Sequence, residues 1–135
     1  MDHVSTETRS AIMRAVGTKN TGPELAVRRI IWRAGYRYRL HAPELPGRPD
    51  IVLRQQRKAI FVHGCFWHGH VRCAKARLPK TRVHYWQEKV GTNTRRDRAR
   101  IRALRSRGWR VLVVWQCQLK KPEQLERQIL KFLER

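Results

Sequence analysis

Apolar residues recur along this chain at two spacings, and the switches between them lay out its elements. Val27, Ile30, Ile31 and Ala34 follow one another at helical intervals and form one core-facing stripe. Thr21 ahead of them, Pro23 just inside and Gly35 just past the end bracket that helix. A shorter helix is expected before it, capped by Ser5 or Thr6 and running to about Ala15. Tyr36-Arg37-Tyr38-Arg39-Leu40 then alternates aromatic and cationic side chains, as a half-buried strand does. Pro43, Pro46, Gly47 and Pro49 forbid regular structure until Asp50. Residues 50–53 and 59–62 read as the strands of a hairpin, joined by a polar turn around Gln55-Gln56-Arg57-Lys58. The second strand is almost continuously apolar, which places it inside a sheet. Residues 63–80 form an irregular loop. Residues 81–90 and 92–107 read as two helices, the latter strongly cationic and stopped by Gly108. Residues 109–115 make the strongest strand. Pro122 opens a last helix with Leu125, Ile129, Phe132 and Leu133 on one face.

From the second helix onward this order is α-β-β-β-α-β, with further helices at both ends and after the loop. A helix leading to a last parallel strand implies a right-handed crossover over a mixed central sheet. The fold class expected is α/β, with its chemistry at one end of the strands. At 135 residues, without internal repeats, the chain reads as one domain (1–135), with an N-terminal helical arm over 1–20.

Charge changes the picture. The chain carries 31 Lys and Arg against 10 acids, a formal net charge of +21. A polyanion is the expected partner, because each neutralised phosphate releases condensed counterions. The run Arg95, Arg96, Arg98, Arg100, Arg102, Arg105, Arg107 is a solvated helix face by default and a phosphate rail on a protein this basic. No apolar run is long enough to span a membrane. The N-terminus lacks a basic segment followed by an apolar one, and three cysteines fit a disulfide framework badly, so a cytoplasmic, nucleoid-associated protein is expected.

The chemistry concentrates in Val62-His63-Gly64-Cys65-Phe66-Trp67-His68-Gly69-His70-Val71-Arg72-Cys73. Cys65, His70 and Cys73 are three soft or borderline ligands within one loop, and Cys117, just beyond the last strand, is a natural fourth. Such a Cys3His set suits a closed tetrahedral Zn2+ site. Spacing alone leaves His63 and His68 as alternatives to His70, and buried cysteines also occur as small hydrophobes. Upstream, Asp50 begins one apolar strand about twelve residues before the end of a second. A carboxylate there is a suitable ligand for Mg2+, a hard cation, in a metal-dependent nuclease hairpin. The alternative is that Asp50 only caps the turn after Pro49.

Leu45-Pro46-Gly47-Arg48-Pro49-Asp50, His63-Gly64-Cys65-Phe66-Trp67-His68 and Arg107-Gly108-Trp109-Arg110-Val111-Leu112-Val113-Val114-Trp115 resemble the very-short-patch mismatch repair endonucleases, the Vsr family. Glu88-Lys89, Asn93, Arg96-Asp97-Arg98 and Cys117 also fall where that family has them. The resemblance implies a restriction-endonuclease-like fold with a structural zinc site. It also implies a nick in one DNA strand, 5′ to the thymine of a T·G mismatch left by 5-methylcytosine deamination. On that resemblance Asp50 is the principal Mg2+ ligand and His68 the catalytic imidazole, with His63 a further candidate. Cys65, His70, Cys73 and Cys117 match the zinc ligands. Phe66, Trp67 and Trp86 match aromatics that wedge into the duplex, and Asn93 and Arg96 are assigned to DNA beside them. Double-stranded DNA is the implied partner, other mismatch-repair proteins a further one, and the chain is expected to act as a monomer.

Two departures stand out. Val62 occupies a position where the family has a hydroxyl residue, so only its main-chain carbonyl can serve as a Mg2+ ligand. Gly69-His70-Val71-Arg72 replaces a histidine-rich segment, which narrows the zinc imidazole to His70. Asp97 suits an orienting role on an imidazole, with an ion pair to Arg95 or Arg98 as its alternative. Glu24 matches an acid near the family's metal, or is simply favoured by a helix N-terminus. Trp86 has a core alternative. Trp32, Trp109 and Trp115 are assigned to packing, and His3, His41 and His84 receive no role. Two other functions remain open on sequence alone: a zinc-stabilised DNA-binding module without catalysis, and a restriction-type nuclease cutting both strands.

Overall fold

The structure, a computed structural model, describes residues 22–135. The expected first helix and the arm over 1–20 lie outside the described residues. The elements are α1 (Gly22–Arg33), β1 (Arg39–Leu40), β2 (Ile51–Leu53), β3 (Lys58–His63), α2 (Val83–Ser106), β4 (Arg110–Trp115) and α3 (Pro122–Glu134). Short 3-10 turns occupy Ala74–Ala76 and Gln116–Lys120. The four strands form one mixed sheet in the order β1-β2-β3-β4. β1 and β2 pair antiparallel, as do β2 and β3, while β3 and β4 run parallel with His63 opposite Trp115.

The parallel pair explains the continuous apolar runs, because helices cover both faces of the sheet. On one face Val27 and Ile31 of α1 and Leu125, Ile129, Phe132 and Leu133 of α3 pack with Ile51, Ile60 and Val114. On the other, Leu104 and Ile101 of α2 pack with Ala59, Phe61, Val111 and Val113. Neighbouring strand residues therefore serve opposite layers, as the pleat requires. Lys58, read from sequence as part of the turn, instead opens β3. Its buried ammonium donates to the carbonyls of Leu133 (2.6 Å) and Arg135 (3.1 Å), tying β3 to the C-terminal end of α3.

Three further expectations are corrected. The two helices placed over 81–90 and 92–107 are one continuous helix, α2. A mid-helix glycine costs roughly 1 kcal/mol against alanine, too little at Gly91 to break a helix whose far end is buried at Leu104. The strand expected over 36–40 shrinks to Arg39–Leu40. Trp32, assigned to packing, is exposed, with the Arg37 guanidinium 3.7 Å from its ring centre. No helix among the described residues is long and apolar enough to cross a membrane.

Candidate active site and metal cluster

Asp50 stands immediately before β2, released from the proline-rich segment by buried Pro49. The Val62 main-chain N–H donates to its Oδ2 at 2.7 Å, so a side chain takes a hydrogen bond that a strand partner would otherwise accept. Burial pushes the Asp50 carboxyl up to about 6; the Val62 N–H opposes that rise, and the nearby Glu24 charge adds to it. N–H and C=O of one strand residue point to the same edge. The Val62 carbonyl therefore faces the edge at which Asp50 lies.

β3 ends at His63, which is buried, and burial, reinforced by His68, pushes its imidazole down to about 4. The His68 ring stacks on it, 3.8 Å between centroids and 4° from parallel. His68 Nδ1 lies 2.5 Å from Oδ2 of Asp97, on α2. Burial would raise the Asp97 carboxyl, but the hydrogen bond and charge of His68 outweigh it and hold it below its ordinary range. The ion-pair alternative for Asp97 thus gives way to an imidazole partner. Asp50, Val62, His63, His68 and Asp97 line one cavity of about 210 Å³ with Gly47, Arg48, Phe61, Arg100 and Ile101. Gly47 has φ +77, and a Cβ there would meet Arg100 side-chain atoms at 3.0 Å. Only glycine lets α2 lie this close to the loop before Asp50.

Glu24 is buried in the first turn of α1, paired with Arg28 one turn on. Its two oxygens also lie 3.2 and 3.0 Å from Nε2 of His41. His41, given no role from sequence, thus joins the site: one ligand atom from each of Glu24, His41 and Asp50 falls within 4.8 Å of the others. Its only sequence signal was its place opposite Asp50 across β1 and β2, which becomes visible once the strands are paired.

Cys65, His70, Cys73 and Cys117 converge in the same way, their ligand atoms within 4.8 Å of one another. Cys117 Sγ is 3.4 Å from His70 Nδ1, and the His70 ring lies flat on Trp115, 4.1 Å between centroids. Burial pushes the Cys65 thiol up to about 11. Three thiols and one imidazole at this spacing form a set able to hold a soft or borderline metal. His63 and His68, left open by spacing, belong to the other cluster. Gly69 (φ +59) lets the loop between them pass α2: a Cβ there would meet Val90 at 2.9 Å and Thr94 at 3.0 Å.

Phe66, Trp67 and Trp86 form an edge-to-face group with centroids 5.1 to 5.9 Å apart. Trp67 is exposed and Trp86 only half-buried, so the core alternative for Trp86 does not hold. Asn93 Nδ2 donates to the Trp67 carbonyl at 3.0 Å, and Arg96 donates to Asn93 Oδ1 at 2.9 Å. The Asn93 and Arg96 side chains thus buttress the aromatic loop from α2.

Known proteins resemble this chain along most of its length. The family described as DNA mismatch endonuclease Vsr matches residues 1–75. The chain is 48% identical over 133 residues to the type II nicking enzyme V.XorIIP of Xanthomonas oryzae, covering 98% of this chain and 97% of that one. It is 45% identical over 118 residues to the DNA mismatch endonuclease Vsr of Escherichia coli, covering 87% and 75%. The type II nicking enzyme V.NmeAIP of Neisseria meningitidis is 40% identical over 119 residues, covering 88% and 84%. A mixed α/β fold with an acid-and-imidazole cavity, in a chain with these relatives, is that of a DNA endonuclease. More narrowly, the chain belongs to the Vsr family of DNA mismatch endonucleases.

Proposed function

We propose that this protein is an Mg2+-dependent endonuclease of restriction-endonuclease-like fold that nicks one strand of duplex DNA, 5′ to the thymine of a T·G mismatch. The observation that carries the reading is the single cavity lined by Asp50, Val62, His63, His68 and Asp97. A DNA-binding module needs neither a half-buried carboxylate there nor a carboxylate-held imidazole. The Asp50 carboxylate and the Val62 carbonyl would hold Mg2+, and both are oxygen donors of the kind that ion takes. When bound, the ion supplies an activated water and neutralises charge on the phosphate. Asp97 fixes the His68 ring through Nδ1, which leaves Nε2 to take or give the proton. His63, kept neutral by burial, supports the His68 ring by stacking, and Glu24 stands behind Asp50.

Cys65, His70, Cys73 and Cys117 would hold Zn2+ as a closed four-ligand site, pinning the loop to the end of β4. Phe66, Trp67 and Trp86 would enter the stack beside the mismatch, where unstacking costs least, with Asn93 and Arg96 steadying them. We read 1–135 as one domain acting as a monomer on DNA at the nucleoid, upstream of other repair proteins. The test is Asp50→Ala: the account requires nicking to be lost while mismatched DNA is still bound. Undiminished nicking would remove Asp50 from the chemistry.

A further inference from the structure

His41 is held in place at a conformational cost. Its φ is 49°, the left-handed region that a non-glycine residue occupies only where its surroundings dictate it. Two interactions do so. Its N–H donates to the Asp50 carbonyl at 3.0 Å, followed by Ala42 to Pro49 at 3.3 Å, which carries the β1–β2 ladder past its last regular pair. Its Nε2 meets both Glu24 oxygens, at 3.0 and 3.2 Å. Glu24 already has an ion-pair partner in Arg28, so a second nitrogen is not needed to neutralise the acid.

The arrangement gathers three donors from three places in the fold: the first turn of α1, the end of β1 and the start of β2. All three ligand atoms lie within 4.8 Å of one another. Neighbouring ligands of a six-coordinate ion with bonds of about 2.1 Å stand roughly 3 Å apart, the separation seen here between Nε2 and the Glu24 oxygens. Two carboxylates alone favour Mg2+. An imidazole among them moves the preference toward first-row transition ions, and Mn2+ is the hardest of these, the one that two carboxylates suit best.

We propose that His41 is a protein ligand of the catalytic ion beside Glu24 and Asp50, so that this site holds Mn2+ more tightly than Mg2+. The inference rests on the assignment of Asp50 as a metal ligand above. Mn2+ titrated into the zinc-loaded protein, without DNA, is read by its electron paramagnetic resonance, which reports both binding and nitrogen hyperfine coupling from a ligating imidazole. Wild type should show that coupling. His41→Asn should lose it and bind Mn2+ about tenfold or more weakly, with a smaller change for Mg2+. Asparagine tolerates the left-handed backbone, and His68→Ala, which should keep the coupling, controls for the neighbouring ring. Wild type without nitrogen coupling, or His41→Asn that keeps it, overturns the inference while leaving Mg2+-dependent nicking intact. Failure to bind either ion, with no nicking in any divalent metal, overturns the inference together with the proposed function.

Discussion

The Val62 main-chain N–H donates to Asp50 Oδ2 at 2.7 Å, fastening the acid that precedes β2 to the strand that delivers His63 into the same cavity. That one bond fixes where a carboxylate can stand at the strand ends. It does not fully offset the cost of burying it, since Asp50 is still pushed up to about 6. A site prepared for a cation should be unstable without one.

This gives the first prediction. With its folded value raised from 3.8 to about 6, Asp50 binds its proton more tightly in the native state. Its contribution is therefore favourable below about pH 4 and is lost as pH rises through about 6. The loss is at most about 3 kcal/mol, less for a half-buried group. His63 runs the other way: its depressed value supports the fold above 6.5, and that support is lost as pH falls toward 4. Comparing wild type with Asp50→Asn isolates the Asp50 part. In denaturant melts without Mg2+, Asp50→Asn should be the more stable above pH 6, and the gap should close toward pH 4. Parallel curves would contradict the burial argument.

The 2.5 Å contact between His68 Nδ1 and Asp97 leads to the second. Asp97→Asn keeps the shape but loses the charge that orients the ring. Turnover should fall about 10- to 100-fold, with binding of mismatched DNA unchanged. Unaltered single-turnover rates would reduce Asp97 to a structural residue of α2.

Metal removal tests the cysteine cluster. Thiols must deprotonate to bind a metal, and burial opposes this at Cys65, so affinity should weaken as pH falls. Elemental analysis should find one zinc per chain, and Cys65→Ser or Cys117→Ser should lower that content and the melting temperature together. Full zinc occupancy in both variants would exclude the assignment.

The aromatic group has its own signature. Trp67→Ala should weaken binding to mismatched duplex by about 1–3 kcal/mol, the worth of one stacked base, while affinity for paired duplex barely changes. A fluorescent base analogue next to the mismatch reports the unstacking directly. Equal losses on both duplexes would mean that the exposed Trp67 ring is a general contact and not a wedge.

Much of this site was legible in the sequence, and what was missed has a common physical cause. The continuous apolar runs placed β2, β3 and β4 to within a residue, because helices cover both faces of their sheet. Cys65, His70 and Cys73 sit close along the chain, so their convergence follows from spacing, and Cys117 follows from the parallel pairing of β3 with β4. His41 was invisible because its role depends on pairing across β1 and β2 and on a left-handed turn that no local pattern announces. The continuity of α2 was hidden by Gly91, whose small propensity cost is overridden by packing against the sheet. Trp32 was misplaced because helical periodicity locates a stripe but not its edges, and this ring lies just outside the stripe under Arg37.

The central claim is best tested by incubating purified protein and Mg2+ with end-labelled duplexes carrying one T·G mismatch in varied sequence contexts, beside fully paired controls. The account predicts a single cut, in the thymine strand only, immediately 5′ to the mismatched thymine. Equal cutting of paired duplex on both strands, or tight binding without any cut, would contradict it.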